Sequence, residues 1–373
     1  MFLKSFDSCE AIYDRGYRGN AGRKISVLYE GEPWMLKFPE STRDFPGRQK
    51  PNNHLPSYTT SPVSEYIGSK IYASLGIPVH DVMLGRREGK LVVACRDFAV
   101  DATLLEFSQI KNMVDEDLLE GGNGSNEKRE LLSNALTVIE NAPVFGNIRE
   151  RVRERFWDMF VTDAFILNND RNNGNWGLLV KRYALDLAPV YDNGNALFNK
   201  RSASLMEARG QDPKTVAGDL KANVSFYLDG QGKPIHPFTF IADMRDAGCN
   251  AAVLRFANNL DMSRVDAIID ELPESEFGLT VMSEATKRFY KSLLREAAET
   301  KIMPYARLIE RYEGDKYPIQ ENMRLRNAVE AHEDICDPVG CDLDAESREA
   351  RDACGSLTQG RDATGLSKDN GAR

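Results

Sequence analysis

Between Lys24 and Glu30 the apolar residues Ile25, Val27 and Tyr29 fall on every second position and share one face, the period of a strand. A second apolar run, Trp34 to Phe38, follows the turn Gly31-Glu-Pro, so the two runs predict a hairpin. The pattern is lost from Pro39 to Thr60, which is polar, rich in Pro, Asn, Ser and Arg, and predicts a long, mobile loop. At Ser61-Pro62 the period changes. Ser61 is the expected N-cap, Pro62 the first helical residue, Val63, Ile67 and Ile71 recur every four positions, and Gly76 and Pro78 stop the helix. Asp81 to Gly85 and Lys90 to Ala94 predict two further strands around Arg86-Arg-Glu-Gly89.

Beyond Asp101 helical periods dominate. Leu131 to Glu140 and Glu150 to Asn168 are the clearest, the second carrying the apolar stripe Val152, Phe156, Met159, Phe160, Ile166 and Leu167. Two short strands, Trp176 to Val180 and Tyr183 to Val190, interrupt the helices. Further helices are expected near Ala252 to Asn258, Val265 to Glu271 and Glu284 to Tyr312. Residues 336–373 contain no aromatic side chain and four large aliphatic ones, Val339, Leu343, Leu357 and Leu366. Such a tail buries too little to offset its ordering entropy and is expected to be disordered. The pattern as a whole is α+β: a mainly β part with one helix, then a larger, mainly α part.

Composition narrows the function. Charged residues at 28% and apolar residues at 42% of 373 describe a globular chain. With 48 basic against 57 acidic side chains the net charge is −9, which argues against broad binding to a nucleic-acid backbone. The six cysteines form no disulfide framework. The first residues carry no apolar stretch of signal-peptide length, and no apolar run is long enough to span a bilayer. The expectation is a cytoplasmic protein without a membrane partner, with secretion into a host cell left open.

The chemistry concentrates in Asn168-Asn-Asp-Arg-Asn-Asn-Gly-Asn-Trp-Gly177. Asp170 and Asn175 stand five apart across this polar loop, where a carboxylate can accept a proton from a hydroxyl and a carboxamide oxygen can ligate a hard cation. A plain Asn/Asp/Gly turn favours the same residues on conformational grounds. Asp192, after the second short strand, could complete a metal site with Asn175. The order Asp-x₄-Asn, strand, strand, Asp is the layout protein kinases use. In the front half, Gly16, Gly19 and Gly22 precede the first strand and allow backbone N–H groups to approach phosphate oxygens. Lys37 sits inside an apolar strand and needs an anionic partner, a phosphate or the carboxylate of Glu65.

Taken in order, these stretches resemble the HipA-like serine/threonine kinases. The resemblance rests on Leu36-Lys37-Phe-Pro39, Ser64-Glu65-Tyr-Ile67, Leu75-Gly-Ile-Pro78, Cys95-Arg96-Asp-Phe98, the helix Phe156 to Leu167 running into Asp170-x₄-Asn175, and Ala188-Pro-Val-Tyr-Asp192. It spans roughly residues 10–315 and is closest to the short, stand-alone (CtkA-like) members, because the glycine-rich loop begins within the first 20 residues. It implies a two-lobed protein-kinase-like fold, with an N-lobe over 1–98 and a C-lobe over 99–320. It implies Asp170 as the catalytic acid and Asn175 and Asp192 as Mg²⁺ ligands. Lys37 would hold the ATP phosphates with Glu65 as its helix partner, Gly16, Gly19 and Gly22 would cradle the nucleotide, and Arg96 to Phe98 would border the adenine. ATP and Mg²⁺ are the implied cofactors, a protein the implied substrate, and an antitoxin-like regulator an implied kind of partner. The family's autophosphorylated loop serine aligns with Tyr17 here. Two other readings share the layout: an aminoglycoside-type small-molecule phosphotransferase, whose usual His before the catalytic Asp is Asn169 here, and a nucleotide-binding pseudokinase.

Overall fold

The computed structural model describes residues 1–13, 22–43, 45, 55–119, 129–182 and 184–312. Gly16, Tyr17, Gly19 and the tail 336–373 lie outside the described residues, as do 44 and 46–54 of the long polar loop.

The first sheet is built from β1 (Lys4–Ser5), β2 (Ala11–Ile12), β3 (Lys24–Tyr29), β4 (Glu32–Lys37), β5 (Val82–Arg87) and β6 (Lys90–Arg96), in the order β1-β5-β6-β4-β3-β2. The β1–β5 pair is parallel and the others are antiparallel. Both predicted hairpins form, but with tighter turns than the sequence suggested. Glu30–Gly31 and Glu88–Gly89 are two-residue loops with positive φ at both positions (51° and 83°; 55° and 68°), a twist that matches the flanking strands. Pro33 and Arg86 therefore belong to strands. Alternation sends Ile25, Val27, Leu36, Phe38, Val92 and Ala94 to one face, where they close over Phe6. The opposite face carries Lys24, directly across the ladder from Lys37, and Lys37 in turn lies across from Val93.

Helix α1 (Ser61–Ser74) packs on β5 and β6. Its N-cap is Thr60, one residue earlier than expected, and no side chain caps it. The Thr60 hydroxyl instead donates to the carbonyl of Asn199 at 3.3 Å, which ties the helix start to the second half of the chain. Val63, Ile67 and Ile71 are buried as the period required, but so are Ser64, Glu65 and Ser69, so α1 is covered on several sides. The ends of the Pro39 to Thr60 loop are zipped together: Ser41 and Tyr58 form a bridge, and the amide of Thr42 donates to Ser57 at 3.1 Å.

The second half follows with β7 (Thr103–Glu106), α2 (Phe107–Lys111), α3 (Leu132–Asn141), α4 (Arg149–Phe165), β8 (Gly177–Lys181) and β9 (Ala184–Leu187). Sequence reasoning missed β7, which supplies the outer strand of the sheet β7-β8-β9. Then come α5 (Ala203–Gly210), α6 (Pro213–Lys221), α7 (Pro237–Asp243), α8 (Ala247–Asn259), α9 (Met262–Asp270), the small hairpin β10 (Ser275–Glu276) and β11 (Leu279–Thr280), α10 (Glu284–Ala297) and α11 (Met303–Tyr312). A π-helical turn over Ala298–Ile302 divides what the sequence presented as one helix. The stripe of α4 is buried throughout. Trp157 stacks on Phe240 at 5.6 Å, and Phe156 meets Trp176, which stacks on Phe107 at 4.0 Å. The helix that delivers the Asp170 loop is thus clamped from both ends of its aromatic face. Among the described residues no helix is long and apolar enough to cross a membrane, and Cys9, Cys95 and Cys249 are free thiols.

Gly68 is the point where α1 closes on the loop after Asp192. A Cβ there would lie 2.9 Å from Cβ of Asn193 and 3.4 Å from Cδ1 of Ile166. Gly68→Ala gains about 1 kcal/mol of helix propensity but forces an overpacked contact costing about 1–3 kcal/mol. The expected result is net destabilisation together with lost activity, read by urea unfolding and by an activity assay. A more stable variant would show that the two elements have room to spare.

Candidate active site

Lys37 has to be charged and almost buried at once, with 13% of its side chain exposed. Two carboxylates make that possible. Its Nζ donates to Oε2 of Glu65 on α1 and to Oδ1 of Asp192, each at 2.8 Å. Burial opposes the ammonium charge, but Asp192 and Glu65 outweigh it and hold Lys37 well above the ordinary lysine value. The carboxylates respond in kind. Against the effect of burial, Lys37 keeps Asp192 below its ordinary value, and Lys37 and His80 keep Glu65 below its own.

Glu65 is fully buried, and its second oxygen is also engaged. Oε1 meets Nε2 of His80 and accepts from the backbone amide of Asn193, both at 3.0 Å. Ser69 meets the same His80 nitrogen at 3.3 Å and accepts from the side-chain Nδ2 of Asn193 at 3.0 Å. Gly194 leaves room for this approach, since a Cβ there would lie 3.1 Å from Oε2 of Glu65. His80 itself is positioned through the backbone: its amide donates to Val190 at 3.0 Å, and the Val190 amide donates to Pro78 at 2.8 Å. Cys95 completes a buried group with Glu65 and His80 whose ligand-capable atoms lie within 4.8 Å of one another. Glu65 there is already committed to Lys37, His80 and Asn193.

The Asp170 loop is organised by a second buried charge. Arg171 lies one residue after Asp170 and is 5% exposed. Its Nε and Nη2 donate to the two oxygens of Asp163 on α4, at 2.8 and 3.0 Å. It also donates to the backbone carbonyls of Asn175 and Tyr191 and to Oδ1 of Asn193. One guanidinium thereby ties the loop of Asp170 and Asn175 to the loop of Asp192. Tyr72 of α1 and Asn168 also donate to Asp163, at 2.8 and 3.0 Å. Within the loop, Asn175 Nδ2 donates to the carbonyl of Asp170 at 2.7 Å, which turns the amide oxygen the other way. Asn172 donates to Oδ1 of Asp170 at 3.1 Å. Asp170 sits at the exposed side of the loop. Partial desolvation and the nearby Asp192 charge raise its carboxyl above the ordinary value, against the Asn172 bond.

The structure thus brings Lys37, Glu65 and Asp192 into direct contact, with Asp170 and Asn175 on the adjoining loop. Gly22 leads into β3 beside them. Its φ is +68°, and a Cβ would stand 2.9 Å from the carbonyl of Phe38, next to Lys37. Phe98 lies against Tyr191, ring centroids 5.5 Å apart, and edge-on to His80 at 6.4 Å. Arg96 is turned to the surface, 45% exposed, in ion pairs with Glu32 at 3.4 Å and Asp81 at 3.5 Å. Sequence reasoning missed His80, Asp163, Arg171 and Asn193. Asp163 did leave a signal, a lone acid in the apolar run Phe160-Val-Thr-Asp-Ala-Phe165.

Comparison with known proteins follows the same lines. Serine/threonine-protein kinase CtkA of Helicobacter pylori strain J99 is 33% identical over 303 residues, spanning 78% of this chain and 84% of CtkA. The crystal structure of a Helicobacter pylori proinflammatory kinase CtkA matches with a TM-score of 0.71 and 28% identity, over 83% of this chain and 99% of that one. HipA in a Shewanella oneidensis MR-1 complex with HipB and operator DNA matches with a TM-score of 0.44 and 13% identity, over 82% of this chain and 67% of the other, too slight a likeness to argue from. No protein-family model matches the chain.

The ion cluster sets a pH window. A carboxylate held below its ordinary 4.5, as Glu65 is, stabilises the fold above that pH and loses the contribution as pH falls through its folded value. Lys37, held above 10.5, contributes below that pH and loses the contribution as pH rises through its folded value. Glu65→Gln should cost about 3–5 kcal/mol at neutral pH, because it leaves a buried ammonium short of a partner. The gap between variant and parent should shrink as pH drops below 4.5, measured by urea unfolding across pH. A gap independent of pH would mean that the charge on Glu65 contributes nothing.

Proposed function

The chain belongs to the CtkA-like serine/threonine-protein kinases, and from that premise we propose that it transfers the γ-phosphoryl group of ATP, with Mg²⁺, to a serine or threonine hydroxyl of a protein. In this reading residues 1–98 hold the nucleotide and residues 99–320 carry Asp170, Asn175 and Asp192. The observation that carries it is the Lys37–Glu65–Asp192 ion cluster, assembled from a strand, a helix and a loop at 2.8 Å contacts. Protein kinases need a lysine–glutamate pair and a metal-binding aspartate together.

The residues present suit both groups. Asn175 and Asp192 offer amide and carboxylate oxygens, the hard donors Mg²⁺ takes, and Lys37 offers a compact ammonium for phosphate oxygens. When bound, Mg·ATP supplies the phosphoryl group and the cation that offsets its charge. Lys37 keeps Asp192 ionised, ready to act as a ligand. Glu65, held by His80 and Asn193, fixes the direction of the ammonium. Gly22 lets the backbone beside Lys37 come close to phosphate, with Gly16 and Gly19 before it in the chain. Phe98 and the backbone from Arg96 border the base. Asp170 orients the acceptor hydroxyl and takes its proton, and a carboxyl raised above its ordinary value is the better base. Arg171 keeps the two loops in register. An antitoxin-like protein is the regulator this reading favours.

Asp170→Asn and Asp192→Asn test the reading. Each should lower transfer of labelled phosphate from ATP to a protein acceptor by roughly 10²–10⁴-fold, the size of a lost general base or charge. Unfolding temperature should stay near that of the parent for Asp170→Asn, whereas Asp192→Asn also takes a partner from the buried Lys37 ammonium and should lower it, so its turnover is compared per folded enzyme. Near-normal turnover in either variant would remove that residue from the mechanism. A fall in aminoglycoside phosphorylation alone, with no protein phosphorylation in the parent, would favour the small-molecule alternative.

A further inference from the structure

A cavity of about 150 Å³ lies where the C-terminal end of α1, helix α4 and helix α8 meet. None of its lining residues belongs to the Lys37–Glu65–Asp192 cluster or to the Asp170 loop. Three charged side chains line it: Arg155 and Asp158 of α4 and Arg255 of α8. Asp158 is committed to Arg255, whose Nη2 lies 2.7 Å and Nε 2.9 Å from its Oδ1. One positive charge is left over, on Arg155.

Among the described residues Arg155 has no ion pair, and its guanidinium makes one hydrogen bond, 3.3 Å long, from Nη1 to the carbonyl of Ala188. A guanidinium has five N–H donors in a planar fork shaped for carboxylate or phosphate. This one is only partly exposed. Holding an uncompensated charge partly out of water is costly. Partial burial lowers the Arg155 pKa below its ordinary value, against the nearby charge of Asp158, whose carboxylate is hydrogen-bonded to Arg255 and not to Arg155. Thr162 adds a hydroxyl to the same wall, and Pro78 lines it from the segment that follows α1.

We propose that this cavity is a seat for a small oxyanion, a phosphate or carboxylate group held by the Arg155 guanidinium. The seat adjoins the backbone bridge of the active site. Pro78 accepts from Val190, and Ala188, which Arg155 already holds, lies two residues before Val190 in the segment that leads from β9 to Asp192. It is nonetheless separate in its residues from the position where Lys37 would meet a phosphate, and that separation makes it testable.

Equilibrium dialysis with labelled inorganic phosphate and with labelled malonate tells the two chemistries apart. It is run on the parent, on Arg155→Gln and on Lys37→Ala. Gln keeps a donor for the Ala188 carbonyl and removes only the charge. One of the two anions should bind saturably to the parent and to Lys37→Ala alike, and roughly tenfold to hundredfold more weakly to Arg155→Gln, the range for a lost charge-assisted hydrogen bond. Equal binding by the parent and Arg155→Gln would overturn the proposal. So would binding lost in Lys37→Ala but kept in Arg155→Gln, or no saturable binding of either anion at millimolar concentration. Should Arg155→Gln fail to fold, phenylglyoxal modification of the parent replaces it. The binding anion should slow modification of Arg155, read by peptide mass spectrometry, and an unprotected Arg155 would overturn the proposal.

Discussion

One buried ammonium decides how this molecule is put together. Lys37 sits on β4 between the apolar Leu36 and Phe38, with Lys24 across the ladder, and removing its charge from water would cost several kcal/mol without a partner. The partners come from far along the chain: Glu65 is 28 residues away and Asp192 155 residues away. Neither local sequence nor hairpin geometry can bring them together. The cluster forms only when the sheet, helix α1 and the loop after β9 have all reached their places. It therefore acts as a condition on the whole fold, in addition to being a feature of the site.

A second buried charge extends that condition. Arg171 is matched by Asp163 in a two-point contact, and its remaining donors go to carbonyls of both functional loops and to Asn193. Asp163 is shared with Tyr72 of α1 and with Asn168. A buried polar network in which each member finds a partner is rigid, and one member left unmatched is costly. The two clusters meet at Asn193, whose amide serves Glu65 and whose side chain serves Arg171 and Ser69. By contrast, the ion pairs Arg23–Glu88 and Arg151–Asp186 lie in solvent, where such pairs contribute little. The distinction explains why so few of the many ion pairs govern the geometry.

The same two clusters relate fold to catalysis. Kinase chemistry asks the protein mainly for position and for a field, and little of it is covalent work by side chains. A site held by packed charges supplies both, since its dipoles and ligands need little rearrangement when substrate arrives. The aromatic clamp on α4 serves that end from the apolar side. Phe156 and Trp157 fix the helix, and the helix fixes the start of the Asp170 loop.

The sequence by itself determined the local elements and the chemistry-bearing residues. Strand period placed β3 and β4, the four-residue spacing of Val63, Ile67 and Ile71 placed α1, and the polar loop after an apolar helix placed Asp170 and Asn175. These signals are legible because they lie between near neighbours. Lys37 could be read as a charge in need of an anion, because its strand is apolar, and Glu65 as a candidate for it. Tertiary structure decided the rest. It gave Lys37 both Glu65 and Asp192, and it recruited His80, Asp163 and Arg171, which have no spacing pattern that links them. It left Arg96 on the surface and cut the last helix at a π turn. It drew in β7, whose four residues had no period of their own until β8 lay beside them. Buried charges choose partners by distance in space, and distance in space between remote segments is not written in any local stretch of chain.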